Sequence, residues 1–316
     1  MSDAEAAGRG PHLSIVAPVH NEHEVVAEFV ARLEEHVPKV TDDYEIVLIE
    51  DGSTDSSWQA IESACAMNAK VKGVRLSRNF GQHFAIAAGL DTAKGDFVVV
   101  MDCDLQHDPE YIPALYERIS DGYDIVYARH PERKHGFLKN LTSTLYYKLL
   151  NSMSEFDQDP HIGAFSIINR KVVDAFQKFG DYRIAYLLVL QWLGFRVSHV
   201  EVEHRERFAG ETSYTVIRLL RHALTVTIAF SDRVLYFTVF VGMFFAGMAF
   251  AAIVGIIAQY FFFGIGVVGW ASTIVAIAFF SGVNLMALGV SGIYIAKVFE
   301  QTKGRPRYLV GERLNQ

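Results

Sequence analysis

Two aspartates one residue apart, Asp102-Cys103-Asp104, close the apolar run Phe97–Met101. Such a run reads as a buried strand, and ligands of open α/β sheets gather beyond the carboxyl ends of strands. Two carboxylates placed there can hold a hard divalent cation, which a departing diphosphate needs to neutralise its charge. An isolated Asp-x-Asp is common in solvated turns, so the pair carries weight only in company. Pro18-Val19-His20-Asn21-Glu22 follows the run Leu13–Ala17, and Glu50-Asp51-Gly52-Ser53-Thr54-Asp55 follows Glu45–Ile49. Either alone is explained by a turn and a helix cap. Three acidic turns after three strands are explained jointly by a nucleotide site.

The elements that must position these turns are those of an α/β domain. Strands are expected at Leu13–Ala17, Glu45–Ile49, Val71–Leu76, Phe97–Met101 and Asp124–Ala128, and helices at Glu22–His36, Ser56–Met67, Gln82–Thr92 and Ile112–Ser120. The strands are rich in Val, Ile and Leu without clean alternation, which predicts a mostly parallel sheet covered on both faces. Two further segments, Leu138–Leu150 and Val216–Thr227, have apolar residues on one helical face and are expected to pack on the core or lie in a membrane interface.

Hydrophobic residues make up 51% of the 316-residue chain, and the excess is local: the 63 residues from Val234 to Ala296 contain no Asp, Glu, Lys or Arg. As helix they would reach about 94 Å, whereas one crossing of a bilayer core takes about 20 residues. Two crossings are expected, Val234–Phe263 and Val267–Ala296, with a turn at Gly264, Gly266 and Gly269. Arg218, Arg221 and Arg233 precede the pair, and Lys297, Lys303, Arg305 and Arg307 follow it. Basic flanks at both ends predict both ends in the cytoplasm. Met1–Pro11 lacks the basic and apolar blocks of a signal peptide, which agrees. The expected organisation is a cytoplasmic domain over 1–212, an interface helix over 213–233, a membrane hairpin over 234–298 and a cytoplasmic tail over 299–316.

The net charge of −7 argues against nucleic acid as a partner. Cys65 and Cys103 lack zinc-ligand spacing and are expected to be reduced and structural. No Gly-x-Gly-x-x-Gly turn and no Walker-type loop is present.

The turns named above, together with Arg78-Asn79-Phe80-Gly81-Gln82 and Met101-Asp102-Cys103-Asp104-Leu105-Gln106, resemble those of glycosyltransferase family 2. The nearest likeness is the polyprenyl-phosphate sugar synthase branch, and it runs from about Leu13 to Tyr308, hairpin included. The resemblance implies a glycosyltransferase-A type sheet, and an inverting transfer of one sugar from a nucleotide-sugar to a polyprenyl phosphate at the plasma membrane. It also implies roles. Pro18, Glu22, Asp51 and Gln82 would bind the nucleotide, with Asp102 near its ribose or phosphate. Asp102, Asp104 and Gln106 would hold Mg²⁺ or Mn²⁺. Arg205 and Arg207, in Arg205-Glu206-Arg207-Phe208-Ala209-Gly210, would meet phosphate, which suits a planar guanidinium. Uridine is expected before guanosine in the donor. Anionic lipids and a second copy of the chain are further expected partners.

One departure bears on the base. Many members carry Gly-Asp-Phe-Arg where this chain has Gly163-Ala164-Phe165-Ser166. Asp159 is the expected replacement, with Asp157 and His161 as alternatives. The chain lacks the Gln-x-x-Arg-Trp motif of processive synthases, so a single transfer is expected. Two rival readings are transfer to another membrane lipid and a sugar-nucleotide-binding adaptor without turnover.

Overall fold

The computed structural model describes residues 12–130, 159, 161–180, 185–203, 233–263 and 269–315. The segments Leu138–Leu150 and Val216–Thr227, the residues Asp157, Arg205 and Arg207, and the turn glycines Gly264 and Gly266 lie outside them. The chain divides into a sheet unit and a helical unit.

In the sheet unit, runs of branched apolar residues form β1 (Leu13–Val19), β2 (Tyr44–Glu50), β3 (Val71–Leu76), β4 (Phe97–Val100) and β5 (Ile125–Arg129). Helices α1 (Val26–His36), α2 (Ser57–Met67), α3 (Gln82–Thr92) and α4 (Ile112–Ser120) connect them. Beyond β5 come β6 (Ile162–Asn169), α5 (Arg170–Lys178), α6 (Tyr186–Leu193), β7 (Val197–Glu201) and, after the helical unit, β8 (Val310–Leu314). The order is β7-β5-β6-β4-β1-β2-β3-β8. β1 pairs in parallel with β2 and β4, and β2 with β3, while β6 and β8 run antiparallel to their neighbours.

Successive strand residues point to opposite faces, so each strand feeds two cores. Leu13, Ile15 and Ala17 pack with Phe29, Leu33, Trp58, Ile61 and Leu115 on one side. Val16 joins Ile86, Leu90, Val172, Phe176 and Tyr186 on the other. Helix α3 lies close on the sheet, since a Cβ at Gly89 would come 2.2 Å from a methyl of Val16.

The expected mostly parallel sheet is present, with differences in detail. The helix expected from Glu22 begins at Val26, because the backbone N–H groups of Glu22 and His23 donate to side chains after β2. The segment 299–316, read as a tail, contains β8, which pairs with β3; its sequence Val-Gly-Glu-Arg-Leu is too polar to announce a strand. Asn315 fastens its end by donating to the carbonyls of Cys65 and Val71.

The helical unit holds α7 (Arg233–Phe263) and α8 (Trp270–Thr302), of 31 and 33 residues. Both are long and apolar enough to cross a membrane. Phe245 packs edge-on against Phe279 at 5.0 Å between ring centres. Phe240, Phe244, Leu285 and Leu288 point outward, exposed, as suits helices whose solvent is lipid.

Candidate active site

β1 sits between two parallel neighbours, yet the chain runs from it to β2 on one side and returns to β4 on the other. The strand order reverses there, so the crevice beyond the carboxyl ends of β1 and β4 is the topological switch point. All three acidic turns open onto this edge.

The turns after β1 and β2 are stitched together. Asn21 adopts φ 56°, a left-handed conformation that Asn tolerates better than most residues. Its Oδ1 accepts the Thr54 N–H at 2.8 Å, and its own N–H donates to Ser53 Oγ at 3.1 Å. The Glu22 N–H donates to Ser57 Oγ at 2.9 Å. Asp55 Oδ1 accepts the Ser57 N–H and hydroxyl at 3.0 and 2.6 Å, and Oδ2 lies 2.8 Å from His23 Nδ1. Burial opposes the charge on Asp55, but the hydrogen bonds from Ser57 and His23 outweigh it and hold the carboxyl at about 2. Buried Glu50 accepts the Ser53 N–H and faces Arg75 Nε at 3.3 Å.

Asp51 then locks this pair of turns to the loop after β3. One carboxylate oxygen accepts the Phe80 N–H at 2.7 Å and the other the Gly81 N–H at 2.8 Å. Its neighbour Gly52, at φ +62°, lies so near that loop that a Cβ would fall 2.1 Å from the Asn79 nitrogen. Gly81, at φ +102°, turns the chain into α3. The first residue of that helix, Gln82, donates from Nε2 to Asp102 Oδ1 at 2.6 Å. An unbroken series of contacts thus runs from the β2 turn through α3 to the end of β4.

Asp102 is half-buried, and burial, with the charge of Asp104 beside it, pushes its carboxyl up to about 6 against the pull of the Gln82 hydrogen bond. Asp104 accepts the Gln106 N–H at 3.1 Å. Between them Leu105 takes φ 60°, which costs a bulky side chain about 1–3 kcal/mol. Cys103 is buried with its thiol hydrogen-bonded to Glu22, and burial first and Glu22 next push its pKa well up, so it stays a thiol. Among the described residues no three His, Cys, Asp or Glu form a metal cage. Two neighbouring carboxylates, one of them raised by burial and by the charge of the other, fit a hard cation that takes its other ligands from diphosphate and water.

The β5–β6 side of the same edge holds Asp159. Its Oδ2 accepts from Arg129 Nε at 3.0 Å and its Oδ1 from the His161 N–H at 2.9 Å. Next to it, His107 stacks on His130 at 5.7 Å and tilts against Phe165 at 5.2 Å. Pro18, Glu22, Asp51, Gln82, Asp102, Asp104 and Gln106 are therefore gathered at one edge, with Asp159 and His161 further along it. Asp51 differs from the expected nucleoside contact in that both its oxygens are already engaged by backbone. Sequence reasoning missed His107, His130 and Arg129. His107 follows three residues after Asp104, and Arg129 ends a strand read one residue short.

The model of the family described as Glycosyl transferase family 2 matches residues 14–176. The chain is 35% identical to the uncharacterized glycosyltransferase YkcC of Bacillus subtilis, over 94% of this chain and 92% of that one. It is 34% identical to the bactoprenol glucosyl transferase of Shigella phage SfX, over 95% and 99%. Among solved structures, a mannosyltransferase from Pyrobaculum calidifontis in complex with GDP-Man and Mn²⁺ is similar, with a TM-score of 0.49, 16% identity, and 70% and 64% of the two chains covered.

The two positive-φ glycines separate strain from collision. Gly81 has no atom within 4 Å of a built Cβ, whereas Gly52 would drive its Cβ into the loop backbone. Gly81→Ala should cost about 1–3 kcal/mol, the strain alone. Gly52→Ala should cost more and lose nucleotide binding as well, because the loop held by Asp51 must move. Thermal unfolding and calorimetric titration with uridine diphosphate would check this; equal losses from both variants would contradict it.

Proposed function

The chain belongs to glycosyl transferase family 2, and from that premise we propose that it transfers a single sugar from a nucleotide-sugar, uridine before guanosine, to a polyprenyl phosphate. The observation that carries this reading is the Asp102–Asp104 pair at the switch point, aligned by Gln82 beside two stitched acidic turns. The acceptor is supported by the relative named bactoprenol glucosyl transferase, which the chain matches over 99% of that relative's length, and by two helices apolar enough for a bilayer.

Asp102 and Asp104, with Gln106, would hold a divalent cation. When bound, it would supply charge to stabilise the leaving nucleoside diphosphate. The residues of the chain do the positioning. Asp51 fixes the loop that opens α3, α3 presents Gln82, and Gln82 orients Asp102. An acceptor phosphate oxygen then bonds to the anomeric carbon as its bond to the diphosphate breaks, with inversion. The second pKa of a phosphate monoester is about 6, so at neutral pH this nucleophile has already lost its proton. Asp159, tied to Arg129 and the His161 N–H, suits a positioning role better than that of a base. Arg205 and Arg207 stay proposed as phosphate contacts.

Both ends of the hairpin are proposed to lie on the cytoplasmic side of the plasma membrane, with the sheet unit. The return of the chain to the sheet as β8, next to β3, supports this, because two crossings bring a chain back to the side it left.

Purified protein incubated with a panel of nucleotide-sugars and undecaprenyl phosphate should yield one lipid-phosphate sugar by mass spectrometry. Asp104→Asn, or a chelator, should abolish it with the fold intact. A product on diacylglycerol alone, or full activity in chelator, would overturn the acceptor or the metal assignment respectively.

If Asp159 positions rather than accepts a proton, Asp159→Asn should lose activity equally at pH 7 and pH 9. The wild-type rate should fall below about pH 6 as the acceptor takes up its proton. Recovery of the variant at high pH would make Asp159 a true base.

A further inference from the structure

Asp51 grips the loop before α3 near its middle. The two ends of the unit that this loop forms with α3 are met by adjacent residues at the start of β8. The Ser77 N–H, at the foot of the loop, donates to the Leu309 carbonyl at 2.9 Å. The Tyr308 hydroxyl donates to Asp91 Oδ2, on the last turn of α3, at 2.6 Å. A bulge delivers them there. Gly311 is the extra residue where the register passes from Arg75–Glu312 to Leu76–Val310, and such a residue re-aims the end of a strand. Tyr308 and Val310 also pack against the core beneath α3. Burial first, and Asp91 next, push the Tyr308 phenol up, so the hydroxyl keeps the proton it donates.

Position along its own axis is what α3 most needs from outside. Its buried residues are Ala85, Ile86, Ala87, Ala88, Gly89 and Leu90. So many small side chains give few ridges to resist sliding on the sheet. Hydrogen bonds at the far end of the helix resist it instead. From the α5 flank, Gln177 donates to the Leu90 carbonyl at 3.2 Å and Arg170 to the Ala93 carbonyl at 3.0 Å. Tyr308 holds the opposite flank, on the β8 side of the sheet. Gln82 stands about 14 Å away at the helix start. A slide of about 1 Å would take its 2.6 Å bond to Asp102 beyond hydrogen-bonding range.

We propose that Tyr308 is a positioning residue of the donor site, fixing the far end of α3 so that Gln82 stays on Asp102. The segment that follows α8 is thereby part of the apparatus that orders the nucleotide and its cation. This rests on the reading of Asp102 and Asp104 as the seat of the donor's cation.

Calorimetric titration of uridine diphosphate with Mn²⁺ into the full chain in detergent tests it, with the melting temperature recorded for every variant. Tyr308→Phe keeps the ring and loses the hydroxyl. It should weaken the nucleotide about fivefold, as loss of one hydrogen bond implies. Asp91→Ala should do the same, and the double variant no more, since both remove one bond. In a Gln82→Ala background, Tyr308→Phe should have no further effect. Asn315→Ala, which loosens the opposite end of β8, should lower the melting temperature and leave the affinity unchanged. Wild-type affinity in Tyr308→Phe, an undiminished loss in the Gln82→Ala background, or an equal loss in Asn315→Ala would overturn the proposal. A wild-type chain that fails to bind uridine diphosphate with Mn²⁺ would remove the donor-site reading and this proposal together, whereas binding insensitive to Tyr308 would remove this proposal alone.

Discussion

The carboxylate of Asp51 is the constraint on which the site depends. It lies at the end of β2, 2% exposed, and each oxygen takes a backbone N–H from the loop that opens α3. A buried carboxylate without such donors would be expensive. With them it fixes two otherwise independent segments, because the N–H groups of Phe80 and Gly81 cannot reach it unless the β3 loop folds down against Gly52. The start of α3 follows from that loop, Gln82 from the start of α3, and the orientation of Asp102 from Gln82. The charge of Asp51 therefore serves to hold the place where the cation is proposed to bind.

The same division of labour runs along the sheet edge. Glu50, Asp55 and Asp159 each have partners close enough to fix them, as Arg75, Ser57 with His23, and Arg129 respectively. Asp102 and Asp104 are left beside each other, and burial first, with the charge of Asp104 next, raises the carboxyl of Asp102. An acidic edge thus sorts into carboxylates that build the turns and a pair whose charges call for an outside partner.

Much of this was legible in the sequence. Val-, Ile- and Leu-rich runs marked five strands because burial on both faces leaves little room for other residues, and turn residues after them marked the edge. Asp102, Asp104 and Gln82 stood in one motif set. The partners were not legible. Nothing in the order of residues says that Gln82 meets Asp102 across 20 positions, or that Cys103 meets Glu22, since the first contact follows from α3 starting beside the end of β4 and the second from β4 pairing with β1. β6 and β8 escaped because antiparallel edge and crossover strands tolerate polar and small residues, so Val310–Leu314 read as tail. Asp51 was expected to contact the nucleoside, and its two oxygens hold the loop after β3. The two long apolar helices were readable from one fact, the lack of charge from Val234 to Ala296.

An incomplete pair of protein carboxylates leaves a cation most of its ligands to find, and a nucleoside diphosphate is the proposed source. Calorimetric titration of Mn²⁺ into the purified protein, with and without uridine diphosphate, tests this most directly. Weak binding alone and much tighter binding with the nucleotide, with uridine diphosphate strengthened reciprocally by Mn²⁺, is the result expected. Mn²⁺ bound as tightly without the nucleotide as with it would contradict the account, because the protein would then hold a complete site of its own.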